Sequence, residues 1–153
     1  MLKEVKIGDK IPNFSIQDYE GIEIESEDLI GNPFVLYFYP KDDTPGCTLQ
    51  ACSFRDNMEL FNDLDVQIIG VSPDNAESHN KFMEKHRLNF TLLCDEDKEL
   101  AKKFGAIQEK ENQTAIIRST FIVDAEGIVR WIEKPVVVDG HSQRVLEALE
   151  SRV

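Results

Sequence analysis

Phe34-Val35-Leu36-Tyr37-Phe38-Tyr39 is the longest unbroken apolar run of the chain, and it is bounded by Pro33 and Pro40. A strand covered on one face alternates polar with apolar positions, so a continuous run predicts a central strand buried on both faces. Val66 to Val71 repeats the pattern. Between the two runs lies a turn-rich segment, Pro40 to Gly46, after which apolar side chains recur at Leu49, Cys52, Met58, Phe61 and Leu64 as on one face of a helix. Strand, loop, helix and strand form a βαβ unit with room for a right-handed crossover.

Upstream, Phe14 to Gln17 and Ile22 to Glu25 alternate in polarity around Tyr19-Glu20-Gly21 and predict a short peripheral β-hairpin. Downstream, Asp74 or Asn75 can cap a helix that runs to about Arg87. Phe90 to Leu93 reads as a short strand, and Asp95 can cap a third helix closed by Gly105. The α/β alternation is expected to stop there. Thr120 to Val123 and Ile128 to Ile132 predict a second hairpin through Asp124-Ala125-Glu126-Gly127. A last amphipathic helix follows from about Ser142 to Arg152, with Val145, Leu146 and Leu149 facing inward. This order predicts an α/β fold, a central mixed sheet with helices on both faces and an N-terminal β-hairpin, arranged as in a thioredoxin-like sheet.

A chain of 153 residues is the size of one domain, spanning 1–153, and folding at that length buries roughly 70% of the unfolded surface. Neither a repeat nor a low-complexity tract divides it. Charges recur every few residues near the start, and no apolar stretch approaches a membrane span, so a cytoplasmic protein is expected. The formal charge of −12 repels phosphate backbones and anionic headgroups, which argues against nucleic-acid and membrane partners. Three cysteines in such a chain are chemical or buried thiols and not a disulfide framework.

Ligands of open α/β sheets bind beyond the carboxyl ends of the strands, and the loop leaving the first buried strand is Pro40-Lys41-Asp42-Asp43-Thr44-Pro45-Gly46-Cys47-Thr48. Cys47 falls where this loop becomes a helix. Free N–H groups and the positive end of the helix dipole stabilise a thiolate there and can receive the oxygen of a small polar substrate. Pro45 fixes a backbone angle, Gly46 leaves room beside the sulfur, and the Thr44 hydroxyl can donate to the thiolate or to a bound oxygen. The bland alternative is an ordinary helix start with a buried cysteine.

The run Phe38 to Thr48, followed by Ala51-Cys52-Ser53-Phe54-Arg55-Asp56, closely resembles the active-site motif of peroxiredoxins of the bacterioferritin comigratory protein (PrxQ) group. A weaker likeness covers nearly the whole chain, through Gly8-Asp9-Lys10-Ile11-Pro12-Asn13-Phe14, Gly70-Val71-Ser72-Pro73-Asp74 and Arg118-Ser119-Thr120-Phe121. The resemblance implies that Cys47 is the peroxidatic cysteine and Cys52 the resolving one, as in atypical two-cysteine members. It makes Thr44 and Pro40 partners in the active-site loop and Arg118 the activating arginine. It further implies hydrogen peroxide or organic hydroperoxides as substrates, a dithiol such as thioredoxin as reductant, a monomer, and no metal, flavin or haem. Gln50 departs from the pattern, where relatives often carry Glu, without touching the nucleophile. Strand order points to Arg118 independently. An antiparallel strand beginning after it starts at the sheet edge where Phe34–Tyr39 ends, so its guanidinium can meet Cys47 and stabilise the charge that develops on oxygen.

Cys94 ends an apolar strand and reads as a small buried hydrophobe, the alternative being a second resolving thiol. His79 and His86 lie on one predicted helix without a third ligand and read as solvated, His141 belongs to the start of the last helix, and Asp95 to Lys103 reads as a solvated face. Two rival functions remain. A disulfide exchanger requires Cys-x-x-Cys, whereas these cysteines are spaced Cys-x4-Cys. A redox sensor or binding module would signal Cys47 oxidation to a protein partner without useful turnover.

Overall fold

The fold is that of a computed structural model, which describes residues 4–152. Its centre is β3 (Phe34–Phe38), in which every residue is buried. The five-stranded sheet has the order β5-β4-β3-β8-β9. On one side β3 pairs in parallel with β4 (Gln67–Ser72), which pairs in parallel with β5 (Thr91–Cys94). On the other side β3 pairs antiparallel with β8 (Ser119–Val123), and β8 with β9 (Val129–Glu133). The N-terminal hairpin consists of β1 (Ser15–Gln17) and β2 (Glu23–Glu25).

Strand alternation sends side chains of β3 into two apolar layers. Val35 and Tyr37 join Cys47, Ala51 and Phe54 of α1 (Pro45–Asp56), Phe61 of α2 (Met58–Asp63), Phe82 of α3 (Ala76–His86) and Val145 and Leu149 of α5 (His141–Arg152). Phe34, Leu36 and Phe38 face Leu100 and Phe104 of α4 (Glu99–Phe104) together with Ile11 and Phe14. Helices thus cover both faces of a mixed sheet, the expected thioredoxin-like arrangement.

Three details differ from the sequence reading. The helix expected to run to Leu64 is broken at Asn57, whose side-chain amide donates to the Ser53 carbonyl and to the Ser142 hydroxyl, tying the break to α5. The segment from Asp95 is not a solvated face throughout. Asp95 is buried and accepts from the backbone N–H groups of Leu100 and Ala101, whose side chains are buried too. Finally, an extra hairpin, β6 (Ile107–Lys110) and β7 (Gln113–Ile116), precedes Arg118. Its turn residues Glu111 and Asn112 both adopt positive φ, 51° and 65°.

Candidate active site

The site lies where β3 ends. Pro40 follows the last buried residue of the run and is exposed, and without an N–H it cannot extend the ladder. The chain turns through Asp42 and Asp43 and enters α1 at Thr44, whose extended backbone (φ −95°, ψ 156°) is that of an N-cap residue. Pro45 occupies the first helical position, where its missing donor costs nothing. Thr48 N–H is bonded to the Thr44 carbonyl at 2.8 Å. The Thr44 side chain does not cap the helix, so the Gly46 and Cys47 amides remain as first-turn donors. Its hydroxyl instead donates to the Lys41 carbonyl at 2.9 Å. Contrary to expectation, the proton of Thr44 is spent within the loop in this state, and its lone pairs are what it offers outward.

Cys47 is buried, 1% exposed, and Arg118 Nη2 donates to its Sγ at 3.2 Å. The antiparallel register explains the meeting. Ser119 is paired with Phe38, so the residue before it stands at the mouth of the loop leaving β3. Gly46 is what permits the approach. A Cβ there would stand 3.2 Å from Arg118 Nη2, so the room left beside the sulfur is filled by the guanidinium. Arg118 Nη1 donates to Gln50 Oε1 at 2.7 Å, one helical turn past Cys47. A planar guanidinium held by two partners aims a permanent positive charge at the sulfur. Cys52 lies farther along α1, is partly exposed, and is a free thiol like the other two.

The loop itself is anchored by α3. Asp42 is buried, and its carboxylate accepts from the Tyr39 hydroxyl at 2.6 Å, from the Ser78 hydroxyl at 2.8 Å and from His79 Nδ1 at 2.7 Å. The other ring nitrogen of His79 faces the Leu93 carbonyl at 2.8 Å. Acceptors thus stand at both nitrogens, and the ring is fixed between the loop and β5. His79 is therefore not solvated but 0% exposed. Nor is His86 free, since its Nε2 meets Asp43 at 3.0 Å beside Lys85 at 2.8 Å. Asp42, Asp74 and His79 have atoms close enough to hold a metal ion. Asp74 Oδ2, however, accepts from Asp42 N–H and the Ser72 hydroxyl, and both carboxylate oxygens of Asp42 and both ring nitrogens of His79 are engaged in hydrogen bonds.

Cys94 is partly exposed and not fully buried, at the end of β5, with its thiol 3.6 Å from the Asp18 carbonyl. Burial, with Glu96, Asp18, Asp42 and Asp74 adding to it, pushes this thiol up to about 11. It is thereby held as a poor nucleophile. Among the described residues, no helix is long and apolar enough to cross a membrane.

Of the residues singled out in the sequence, the structure places Arg118 against Cys47, Thr44 at the N-cap of the helix that carries Cys47, and Cys52 farther along that helix. Sequence reasoning missed Gln50 as a ligand of Arg118, and the buried histidines His79 and His141. Asp42 was readable only as part of the quoted motif.

Comparison with known proteins agrees with this geometry. Residues 7–132 match the AhpC/TSA family. Peroxiredoxin Bcp of Bacillus subtilis is 45% identical over 152 residues, 95% of this chain and 96% of that protein. Peroxiredoxin Bcp of Escherichia coli is 38% identical over 153 residues, 97% of this chain and 98% of that protein. Among solved structures, a Cys-to-Ser mutant of Xylella fastidiosa PrxQ superposes with a TM-score of 0.92 at 31% identity, covering 97% of this chain and 98% of that one. The bacterioferritin comigratory protein of Xanthomonas campestris, whose structure was described for its alkyl peroxide reduction activity, superposes with a TM-score of 0.86 at 34% identity over 90% of each chain. The chain belongs to the AhpC/TSA family and, within it, to the bacterioferritin comigratory protein (PrxQ) group of peroxiredoxins, which are thiol peroxidases.

Proposed function

We propose that Cys47 is the nucleophile of this peroxidase and that Cys52 resolves its oxidised form. The observation that carries the reading is the Arg118 guanidinium 3.2 Å from a cysteine sulfur in the first turn of a helix. The Cys47 thiolate attacks the terminal oxygen of hydrogen peroxide or an organic hydroperoxide in line with the O–O bond. An S–O bond forms, the O–O bond breaks, and the departing oxygen takes a proton and leaves as water or an alcohol. Arg118 and the free first-turn amides stabilise the negative charge that grows on oxygen. The lone pairs of Thr44 accept the hydroperoxide's own O–H, which fixes its orientation.

The product is a sulfenic acid at Cys47. The Cys52 thiolate then attacks that sulfur, an S–S bond forms, and the hydroxyl leaves as water. A dithiol such as thioredoxin returns both residues to thiols by exchange. Burial of Cys47 in the reduced fold keeps a bulky dithiol from its sulfur. The protein works as a monomer, in a reducing compartment such as the cytoplasm, and needs neither metal nor flavin nor haem.

The test is steady-state peroxide consumption with a dithiol reductant, wild type against Cys47→Ser. A hydroxyl is a poor nucleophile near neutral pH, so the variant is expected to be inactive. Turnover persisting near the wild-type rate in the variant removes the assignment. Negligible turnover of the wild type with any dithiol, despite rapid oxidation of Cys47, marks a sensor instead.

A further inference from the structure

Gln50 is 1% exposed, and its amide is held at both ends. An arginine has only donors, so the amide atom that meets Arg118 Nη1 at 2.7 Å must be the oxygen. The amide nitrogen then faces His141 Nδ1 at 3.4 Å. An NH₂ group has only protons to offer, so Nδ1 presents a lone pair and the ring proton sits on Nε2. His141 is 1% exposed at the first residue of α5, its ring edge-on to Phe54 with centroids 5.3 Å apart and planes at 84°. The ring has little freedom to turn.

We propose that His141 is a positioning residue for the peroxide reaction: its Nδ1 orients the Gln50 amide, which in turn holds Arg118 Nη2 against the Cys47 sulfur. The proposal rests on the reading of Cys47 as the nucleophile. Burial keeps the ring neutral by pushing it down to about 4 against the pull of Glu133, with Arg144 and Arg118 adding to the effect. Without an acceptor at this point the buried NH₂ group loses its partner. The amide shifts toward a new one, and the guanidinium bonded to its oxygen is drawn away from the sulfur. Residues 91 apart in sequence are joined by this contact.

The experiment compares His141→Leu, which keeps volume and loses the acceptor, with His141→Asn, whose side-chain oxygen replaces Nδ1. Each is made in the wild-type chain and in Gln50→Ala. The readouts are kcat/KM for hydrogen peroxide with dithiothreitol and the ¹⁵N shifts of the His141 ring. His141→Leu is expected to lower kcat/KM by about tenfold or more, since misplacing a group by about 1 Å costs up to ~10²-fold. His141→Asn should stay within about threefold of wild type, and in Gln50→Ala the leucine should change nothing further. The wild-type spectrum should show Nδ1 unprotonated and Nε2 protonated. A protonated Nδ1, an unchanged kcat/KM in His141→Leu, or the same loss in the Gln50→Ala background overturns the proposal. The tautomer measurement and the asparagine variant stand even if the leucine variant does not fold. Should Cys47→Ser keep its turnover, the nucleophile assignment fails, whatever the His141 variants do.

Discussion

Cys47 and Cys52 both lie within α1, which runs unbroken from Pro45 to Asp56. Five residues along an α-helix advance about 7.5 Å and turn about 500°, which places the two Cα atoms roughly 8.6 Å apart with side chains about 140° from each other. A disulfide tolerates at most about 7 Å. The proposed Cys47–Cys52 disulfide therefore requires the first turns of α1 to open. Opening gives up the contact of Arg118 with Cys47, and a hydrogen bond involving a charged group contributes about 1.5–3 kcal/mol. It also exposes Cys47 and Ala51, which are 1% and 0% exposed. Each adds about 1 kcal/mol on a scale of roughly 0.8 kcal/mol per buried methylene. A cost of about 3.5–5 kcal/mol makes the open form on the order of 10³ times rarer in the reduced protein, at about 1.4 kcal/mol per decade. The bond holds the segment open, so amides from Thr48 to Cys52 are expected to exchange faster by about that factor after oxidation. Hydrogen–deuterium exchange on the reduced protein and on protein with the Cys47–Cys52 bond verified by peptide mapping measures it. Equal protection across residues 47–56 in the two forms would refute the reasoning.

Cys52→Ser is expected to reduce the first equivalent of peroxide at the wild-type rate and then to accumulate sulfenic acid at Cys47. Mass spectrometry after one equivalent reads this, and a first turnover slowed by orders of magnitude would assign Cys52 to the peroxide step. With its thiol raised to about 11, Cys94 in a Cys47→Ser, Cys52→Ser double variant should alkylate at pH 8 on the order of 10²-fold more slowly than a free thiol; labelling at the rate of a free thiol contradicts it. His141 lies at about 4 in the folded protein against an ordinary 6.5, so above pH 6.5 neither state binds the proton. As pH falls from 6.5 to 4 the unfolded chain takes it up and the folded one does not, costing about 3 kcal/mol of stability. Urea unfolding at pH 7 and pH 4 should show that loss in wild type beyond whatever His141→Asn loses, and equal losses sink the assignment.

The sheet was legible because β3 and β4 are nearly unbroken apolar runs, a pattern produced only by burial on both faces. Cys47 was legible because Pro45 and Gly46 mark a helix start at the end of such a strand. Arg118 followed from a single topological step, the antiparallel return of β8. His79 and His141 were hidden for a common reason. Each is polar yet buried, and the partners that permit this, Asp42 and Leu93 for one and Gln50 for the other, are distant in sequence. Helical spacing carries no trace of them. The β6–β7 hairpin escaped because Glu111 and Asn112 are not the glycine-containing pair that usually marks positive φ.

The anchoring by α3 has a kinetic consequence. On one side of the segment that opens, Asp42 is held by the buried His79, and Asp43 meets the ring of His86. On the other, Arg55 Nη1 donates to the carbonyl of that same His86 at 2.6 Å, next to the fully buried Phe54. Residues 44–54 are thus a short loop whose two ends are moored to one post. A chain so tethered keeps its ends together while its middle is uncoiled, and the closure entropy of a loop this short does not have to be recovered afterwards. Free loops of about ten residues close in roughly 10–100 ns, and helices relax within about 1 μs. In the proposed cycle the helix re-forms on that timescale once a Cys47–Cys52 disulfide is reduced, so the interval between turnovers would be set by encounter with the reductant and by thiol exchange.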